Sequence, residues 1–597
     1  MVPQAGDVVG LFYPMYLLPV EVLLSMTDIP PHQSLKDAGL LVCFEPNSKE
    51  FKDAAIIFVS HQWCSKTHPD PRFVQFPVLQ AALKNMISGE LEPDMDLSMI
   101  IFADAKATWG NNEREELKNC YVWFDYAAIP QLMSRGDSAK QATSEEEQQQ
   151  KENTQKAVDS IAAYVACSKY FFVLAPVVKY GKEDCLSDDF LQFSTWSKRG
   201  WCRLERMARV MAPMNDTKML LITAEKQCRF IGPQDYLHEP ACAGEFAYED
   251  DRAHVAALTL AMIEDKLSHY KSQNELHLSR CLKALTPMFC GCADERIKLP
   301  AARKEATGDA FLKSFQFESA VHVTPDGWTP LHYAAMQANI AAMAHLIKHS
   351  ADIHAKIPNT DSVHFIVSET TPIALATRFG TKAAVEFLLT KGAHLNAWAM
   401  SFQVTPVIHA GWAGNLETLQ TLLQTGADID SKTVLGISAL DSAIMNNYHS
   451  VASYLLRQKA STKPLIEGMT PLMMACLFSG TGPLVKEIIQ IGGCDPNQRL
   501  VKHSDSVWFN MFFEPARKAF ETGERSEFSL CGWYGDGMTP LMAATITGKI
   551  DVADVLMLHG ASTDTHTHDG LTLADLAKMR KLPDDFCQRL TRVRLSL

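Results

Sequence analysis

One period governs the second half of this 597-residue chain. Seven blocks opening with Thr or Ser start at Thr329, Thr371, Thr405, Ser438, Thr470, Thr539 and Thr572, at intervals of 42, 34, 33, 32, 69 and 33 residues. About 33 residues hold two helices and a turn but cannot enclose a core, so each unit must bury its apolar stripe against its neighbours. The second helix of one unit is visible in "NLETLQTLLQTGADID", where Leu416, Leu419, Leu422 and Leu423 share a helical face and Gly426 ends it. A stack of such pairs leaves a long concave surface suited to a protein partner.

The blocks "DGWTPLHYAA", "TTPIALAT", "VTPVIHAG", "GMTPLMMA" and "GMTPLMAA" resemble ankyrin repeats, which predicts an all-α ankyrin-repeat solenoid over 326–597 with about seven repeats. Two intervals exceed the period. One carries nine extra residues around Ile357 to Glu369, and the other an insert near 500–535 that splits two otherwise normal repeats. That insert holds Trp508, Phe509, Phe512, Phe513, Phe520, Phe528, Trp533 and Tyr534, too aromatic for a solvated loop. It is expected to fold back on the solenoid as a helix, the alternative being an exposed partner-binding device.

The first half reads differently. "AAIIFVS" (Ala54–Ser60), "YVWFDY" (Tyr121–Tyr126), "KYFFVLAP" (Lys169–Pro176) and "KMLLITA" (Lys218–Ala224) are short apolar runs of buried parallel strands, alternating with helical stretches at Val158–Cys167 and Trp201–Met211. This predicts an α/β domain over 51–235 with a doubly wound, mostly parallel sheet, preceded by an N-terminal extension (1–50) and followed by a helical connector (236–325). The polar run Asp137–Lys156 reads as a solvated helix or loop.

Composition narrows the function. A net charge of −13 with no basic cluster offers no surface for phosphates, so nucleic acid is not expected as a partner. The apolar run Val8–Leu24 is broken by Pro14, Pro19 and Glu21 and has no basic residue before it, so neither a signal nor a spanning helix is expected, and no membrane contact. Fifteen scattered cysteines fit a reducing compartment, and the expected location is cytoplasmic. No glycine-rich phosphate loop is present, which argues against a kinase or P-loop ATPase.

Ligands of open parallel sheets bind where strands end, so the residues following each strand are the candidates. They are Ser60, His61 and Trp63 after the first strand, with "HPDP" (His68–Pro71) beyond, Asp125 after the second, and "SKRGWCRLE" (Ser197–Glu205), where Trp201 and Glu205 are four apart on one helical face. In order, "FVSHQW", "VWFDYAAIPQ", "SKYFFVLAP" and "RGWCRLE" resemble the heterokaryon-incompatibility (HET) domain and its relative, the Toll/interleukin-receptor (TIR) domain, over about 30% of the chain. The resemblance implies a flavodoxin-like, TIR-like fold. It implies too that Glu205 is the glutamate with which some members cleave NAD at the nicotinamide–ribose bond, often in sites completed by self-association. Ser60, His61, Trp63, Asp125 and Trp201 would bind that substrate. NAD would be substrate rather than cofactor, and neither a cofactor nor a metal site is expected.

Each residue also has a plainer role. Glu205 can pair with Arg209 one turn on, Trp201 can anchor the core, His61 can be satisfied by backbone, and Asp125 can cap the helix after its strand. Cys202 has no adjacent base to make it a nucleophile. His277, Cys281, Cys290 and Cys292 lack a recognised zinc spacing. Two functions stay open: a signalling or defence-type protein whose TIR/HET-like domain is an NAD-hydrolysing effector joined to partner-binding repeats, or a non-catalytic ankyrin scaffold or adaptor whose α/β domain only associates with itself or a partner.

Overall fold

The computed structural model of the chain describes residues 10–46, 48, 51, 54–95, 109–131, 144–180, 190–212, 218–232, 237, 239–291, 308–396, 403–464, 469–501, 510 and 513–591, except 362, 365, 479, 524 and 525. Two compact units divide it, one of Met1–Asp96 and Ala105–Leu299, the other of Leu97–Asp104 and Pro300–Leu597.

The first unit is built on a sheet whose strands are β1 (Tyr16–Pro19), β2 (Val42–Cys43), β3 (Ile56–His61), β4 (Asp94–Met95), β5 (Tyr121–Trp123), β6 (Tyr170–Leu174), β9 (Lys218–Ala224) and β10 (Gln227–Phe230), while β7 (Val178–Lys179) and β8 (Phe190–Leu191) pair separately. They lie in the order β2-β1-β5-β3-β6-β9-β10-β4. The four apolar runs of the sequence supply its parallel centre, β5-β3-β6-β9. All of β3 and β6 is buried, as expected of strands covered on both faces. The sheet as a whole is mixed, which corrects the expectation of a mostly parallel one. β1 runs antiparallel to β5 and to β2, and β10 antiparallel to β9. The cause lies in the connections: Glu225 and Lys226 are all that separates β9 from β10, which suffices for a hairpin but not for a parallel crossover. β1 and β2 come from the N-terminal 50 residues, which thus belong to the sheet.

Strand alternation sets the two faces. Phe58 stacks on Trp123 at 4.3 Å, and Trp123 meets Tyr164 of the Ile161–Cys167 helix at 5.4 Å. On the other face His61 and Phe124 meet Phe76, at the start of the Phe76–Ser88 helix, at 5.4 and 4.8 Å. That start is fixed by Asp70 of "HPDP", buried, whose carboxylate accepts the N–H groups of Val74, Gln75 and Phe76. The polar run forms the helix Ser144–Asp159, and Asp250–Ser272 and Leu276–Phe289 are the long helices that follow the sheet.

The second unit is a run of helix pairs. Their first helices are Pro330–Met336, Pro372–Phe379, Pro406–Ala413, Ala439–Met445, Pro471–Leu477, Pro540–Ile546 and Leu573–Met579. Each starts directly after its Thr or Ser. The hydroxyls of Ser438, Thr470, Thr539 and Thr572 accept the N–H three residues on, and Asp441 and Asp575 accept the N–H of Ser438 and Thr572 in return. Consecutive first helices pack on one another throughout, including Pro471–Leu477 on Pro540–Ile546 across the insert. There Thr547 Oγ1 and Lys549 Nζ each donate to the Cys476 carbonyl at 2.9 Å. The insert leaves and rejoins at one point, where Leu500 N–H donates to Met538 O and Gly537 N–H to Leu500 O. It does fold back: helices Glu514–Glu521 and Glu527–Trp533 pack together, Phe520 stacks on Trp533 at 4.6 Å, and Tyr534 donates to Asp569. Trp508, Phe509 and Phe512 lie outside the described residues.

Candidate functional site

At the carboxyl end of β3 the alternation of the strand places Ser60 toward the Gly200–Met211 helix and His61 toward Phe76. Ser60 Oγ donates to Glu205 Oε2. His61 Nε2 lies 3.0 Å from Asp125 Oδ1, Trp63 Nε1 donates to Asp125 Oδ2 at 2.6 Å, and the Tyr126 N–H donates to Asp125 Oδ1 at 2.6 Å. Five of the six candidates, Ser60, His61, Trp63, Asp125 and Glu205, therefore form one cluster.

Trp201 is the sixth, and it is directed elsewhere. Its indole N–H donates to Asp251 at 2.9 Å and its ring lies 6.0 Å from His254, both on the Asp250–Ser272 helix. The four-residue spacing puts Trp201 and Glu205 on one side of their helix, but a whole turn separates the surfaces they cover. Arg209, the alternative partner of Glu205, instead donates to the carbonyls of Val165, Ser168 and Lys169. Cys202 is buried beneath the His61 carbonyl, and burial raises its thiol pKa well above the ordinary value, away from thiolate chemistry.

The tryptophan that does reach the cluster is Trp196, fully buried, whose Nε1–H donates to Ser60 Oγ at 2.9 Å. Beside it Thr195 Oγ1 donates to Gln62 Oε1 at 2.7 Å. Sequence reading missed both, because they precede the "RGWCRLE" block, and helical spacing from Glu205 does not reach the short separate helix Phe193–Trp196. The Gly200–Met211 helix is itself pinned at its start. Gly200 N–H donates to Glu245 O, and Glu245 N–H to Lys198 O. A Cβ on Gly200 would stand 2.0 Å from the Phe246 ring, so any side chain here would have to displace that ring.

The two carboxylates are set apart electrically. Burial raises Glu205 to about 8, and Asp125 adds to the rise against the opposing Ser60 hydrogen bond and His61. Burial would also raise Asp125, but His61 together with the Trp63 and Tyr126 donors holds it below the usual range. Burial would lower His61, yet Asp125 and Glu205 raise it. The pairing thus favours the charged forms of His61 and Asp125, beside a Glu205 that is largely protonated at neutral pH. Both acids keep part of their surface open to solvent, 31% of the Asp125 side chain for instance.

This has a measurable consequence for stability. Because the folded state retains the Glu205 proton between pH 4.5 and about 8, stability contributed at this site falls as pH rises through that window. Glu205→Gln is therefore expected to melt with the wild type near pH 5 and above it at pH 9, by about 2 kcal/mol once solvent screening is allowed for. Thermal melts across pH 5–9 test this, and parallel curves would contradict it.

Family models match in the second unit. A three-copy ankyrin-repeat model covers 357–433 and 407–499, and single ankyrin-repeat models cover 326–355 and 536–568. Among curated proteins, the chain is 26% identical over 200 residues to the putative palmitoyltransferase ZDHHC13 of Danio rerio, covering 33% of this chain and 26% of that protein. It is 28% identical over 197 residues to the ankyrin repeat and SAM domain-containing protein 6 of the same species, covering 33% and 22%. To the Caenorhabditis elegans ankyrin repeat and KH domain-containing protein mask-1 it is 28% identical over 241 residues, covering 39% and 8%. The chain thus spans about a quarter or less of the length of these relatives. The human ASB11 ankyrin repeat domain aligns at 19% identity and TM-score 0.33, over 45% of this chain and 99% of that one. The Bcl-3 ankyrin repeat domain aligns at 19% and 0.31, over 43% and 99%. No helix among the described residues is long and apolar enough to cross a membrane. The second unit of this chain is an array of ankyrin repeats.

Proposed function

We propose that the first unit is a TIR/HET-like effector that hydrolyses NAD at the nicotinamide–ribose bond, with Glu205 as the reacting carboxylate, and that the ankyrin repeats hold the protein partner that controls it in the cytoplasm. The single observation that carries this reading is the meeting of Glu205, Ser60 and the His61–Asp125 pair in one hydrogen-bonded cluster at the carboxyl end of β3. Taken in chain order, the parallel strands β3, β5, β6 and β9 lie in the order 2-1-3-4, the start of the flavodoxin-like arrangement, whose ligand crevice opens between its first and third strands. Those strands are β3 and β6, and Ser60 and His61 pair with Val173 and Leu174 there.

Cleavage of an N-glycosidic bond develops positive charge on the ribose, which a carboxylate in a water-poor site stabilises. Glu205 is protonated before substrate arrives. A cationic nicotinamide–ribose linkage placed against it favours the anion and draws the proton off, so the negative charge forms where the ribosyl cation will develop. Asp125 already takes three donors and serves to hold His61 and Trp63 in place. The Glu205 proton passes to bulk water; water then adds to the ribose carbon as the C–N bond breaks and neutral nicotinamide leaves, and the added water gives up one of its protons to solvent.

Purified protein incubated with NAD is expected to release nicotinamide, weakly when dilute and faster when concentrated, because TIR-type sites are often completed by self-association. No release at any concentration, at pH 7 to 9, would shift the reading to a non-catalytic adaptor.

A further inference from the structure

Two hydrogen bonds line up behind Glu205. An indole N–H only donates, so Trp196 fills one of the two acceptor sites on Ser60 Oγ, while the Ser60 hydroxyl donates to Glu205 Oε2. Both relay members are out of solvent, Trp196 entirely and Ser60 at 1% exposure, so no water competes for either bond. The indole cannot swing away. Its ring stacks on Phe193 at 5.6 Å, and the adjoining Thr195 ties the same short helix to Gln62, two residues beyond Ser60 on the chain that carries β3. The Ser60 hydroxyl, free to rotate in most settings, is here held to one partner.

We infer that Trp196 is a positioning residue for Glu205, acting through Ser60: its N–H fixes and polarises the serine hydroxyl, and the serine in turn sets the place and ionisation of the carboxyl group. The inference rests on the reading of Glu205 as the reacting group, but its relay is testable without turnover. Removing the indole N–H weakens the one neutral donor that favours ionised Glu205, so the titration of Glu205 must move upward.

The experiment uses the full chain and three variants, Trp196→Phe, Ser60→Ala and the double. Glu205 ionisation is followed against pH by the infrared band of its protonated carboxyl, assigned by the loss of that band in Glu205→Gln. Trp196→Phe is expected to raise the midpoint by about 0.5–1 unit, the worth of one neutral hydrogen bond. Ser60→Ala should raise it further, and Trp196→Phe should add nothing in the Ser60→Ala background. Nicotinamide release at pH 7 should fall about three- to tenfold in Trp196→Phe with KM unchanged. An unmoved midpoint in Trp196→Phe, or a Trp196 effect retained in full without Ser60, overturns the relay. A moved midpoint with no turnover by any form sustains the relay and overturns only the catalytic reading of Glu205. Should Trp196→Phe fail to fold, Trp196→Tyr preserves aromatic bulk without the indole N–H and takes its place.

Discussion

Glu205→Gln is expected to reduce nicotinamide release from NAD by about a hundredfold or more, the scale on which a single preorganised electrostatic group contributes, while far-UV circular dichroism stays that of the wild type. Glutamine has the size of glutamate and an amide oxygen that can still accept from Ser60, so packing and the relay survive. What disappears is the negative charge. The pH profile separates this role from a structural one: with Glu205 near 8 in the free protein, kcat/KM of the wild type should rise from pH 6 to about 8 and level off, and the residual activity of the variant should not follow that rise. Equal turnover by both forms, at a concentration where the wild type is clearly active, removes Glu205 from the mechanism.

Gly411→Val should disrupt the repeat stack itself. Gly411 lies in the Pro406–Ala413 helix, where a Cβ would stand 2.5 Å from the Ala439 carbonyl oxygen and 2.9 Å from its Cα. Those are backbone atoms at the start of the next first helix, which cannot rotate out of the way as a side chain would. Overpacking of this kind costs about 1–3 kcal/mol, and valine adds two methyls to the clash. In a linear array each unit is held mainly by its neighbours, so weakening one interface exposes both flanks. Hydrogen exchange should show lost protection in Pro406–Ala413 and Ala439–Met445, spreading outward, with β3 and β6 unchanged. Protection equal to wild type would mean that the stack does not depend on this approach.

Sequence made the repeats legible almost residue by residue, because Thr and Ser at helix starts, Pro in the first turn and leucines on one face are local signals that neighbouring copies reinforce. The parallel centre of the sheet was equally plain, since β3 and β6 are buried throughout and β5 and β9 for most of their length, so all four show as apolar runs. The outer strands were not. β4 and β2 are two residues long, and β10 follows β9 after a turn too short to announce a change of direction. Strand ends pointed to Ser60, His61 and Asp125 and four quoted blocks to Glu205, and these side chains meet in one cluster. Trp201 lies apart from it because side chains one turn apart on a helix share a face without sharing a contact. Trp196 was missed because its bond to Ser60 spans 136 residues, a separation no local pattern encodes.

The closed base of the insert also bears on the order in which the chain assembles. Repeat arrays ordinarily propagate through contacts between units a few tens of residues apart, yet Pro540–Ile546 must find Pro471–Leu477 with the whole aromatic segment between them. Drawing Leu500 and Met538 together closes a loop about eight times longer than the short turn it replaces, and chain entropy makes that closure about 2 kcal/mol less favourable. The loss must be met before the Cys476 carbonyl receives Thr547 and Lys549. That cost falls on the last two repeats alone: the preceding five make their contacts through short connections, and the face of Pro471–Leu477 that meets Pro540–Ile546 is covered only once the long loop is closed.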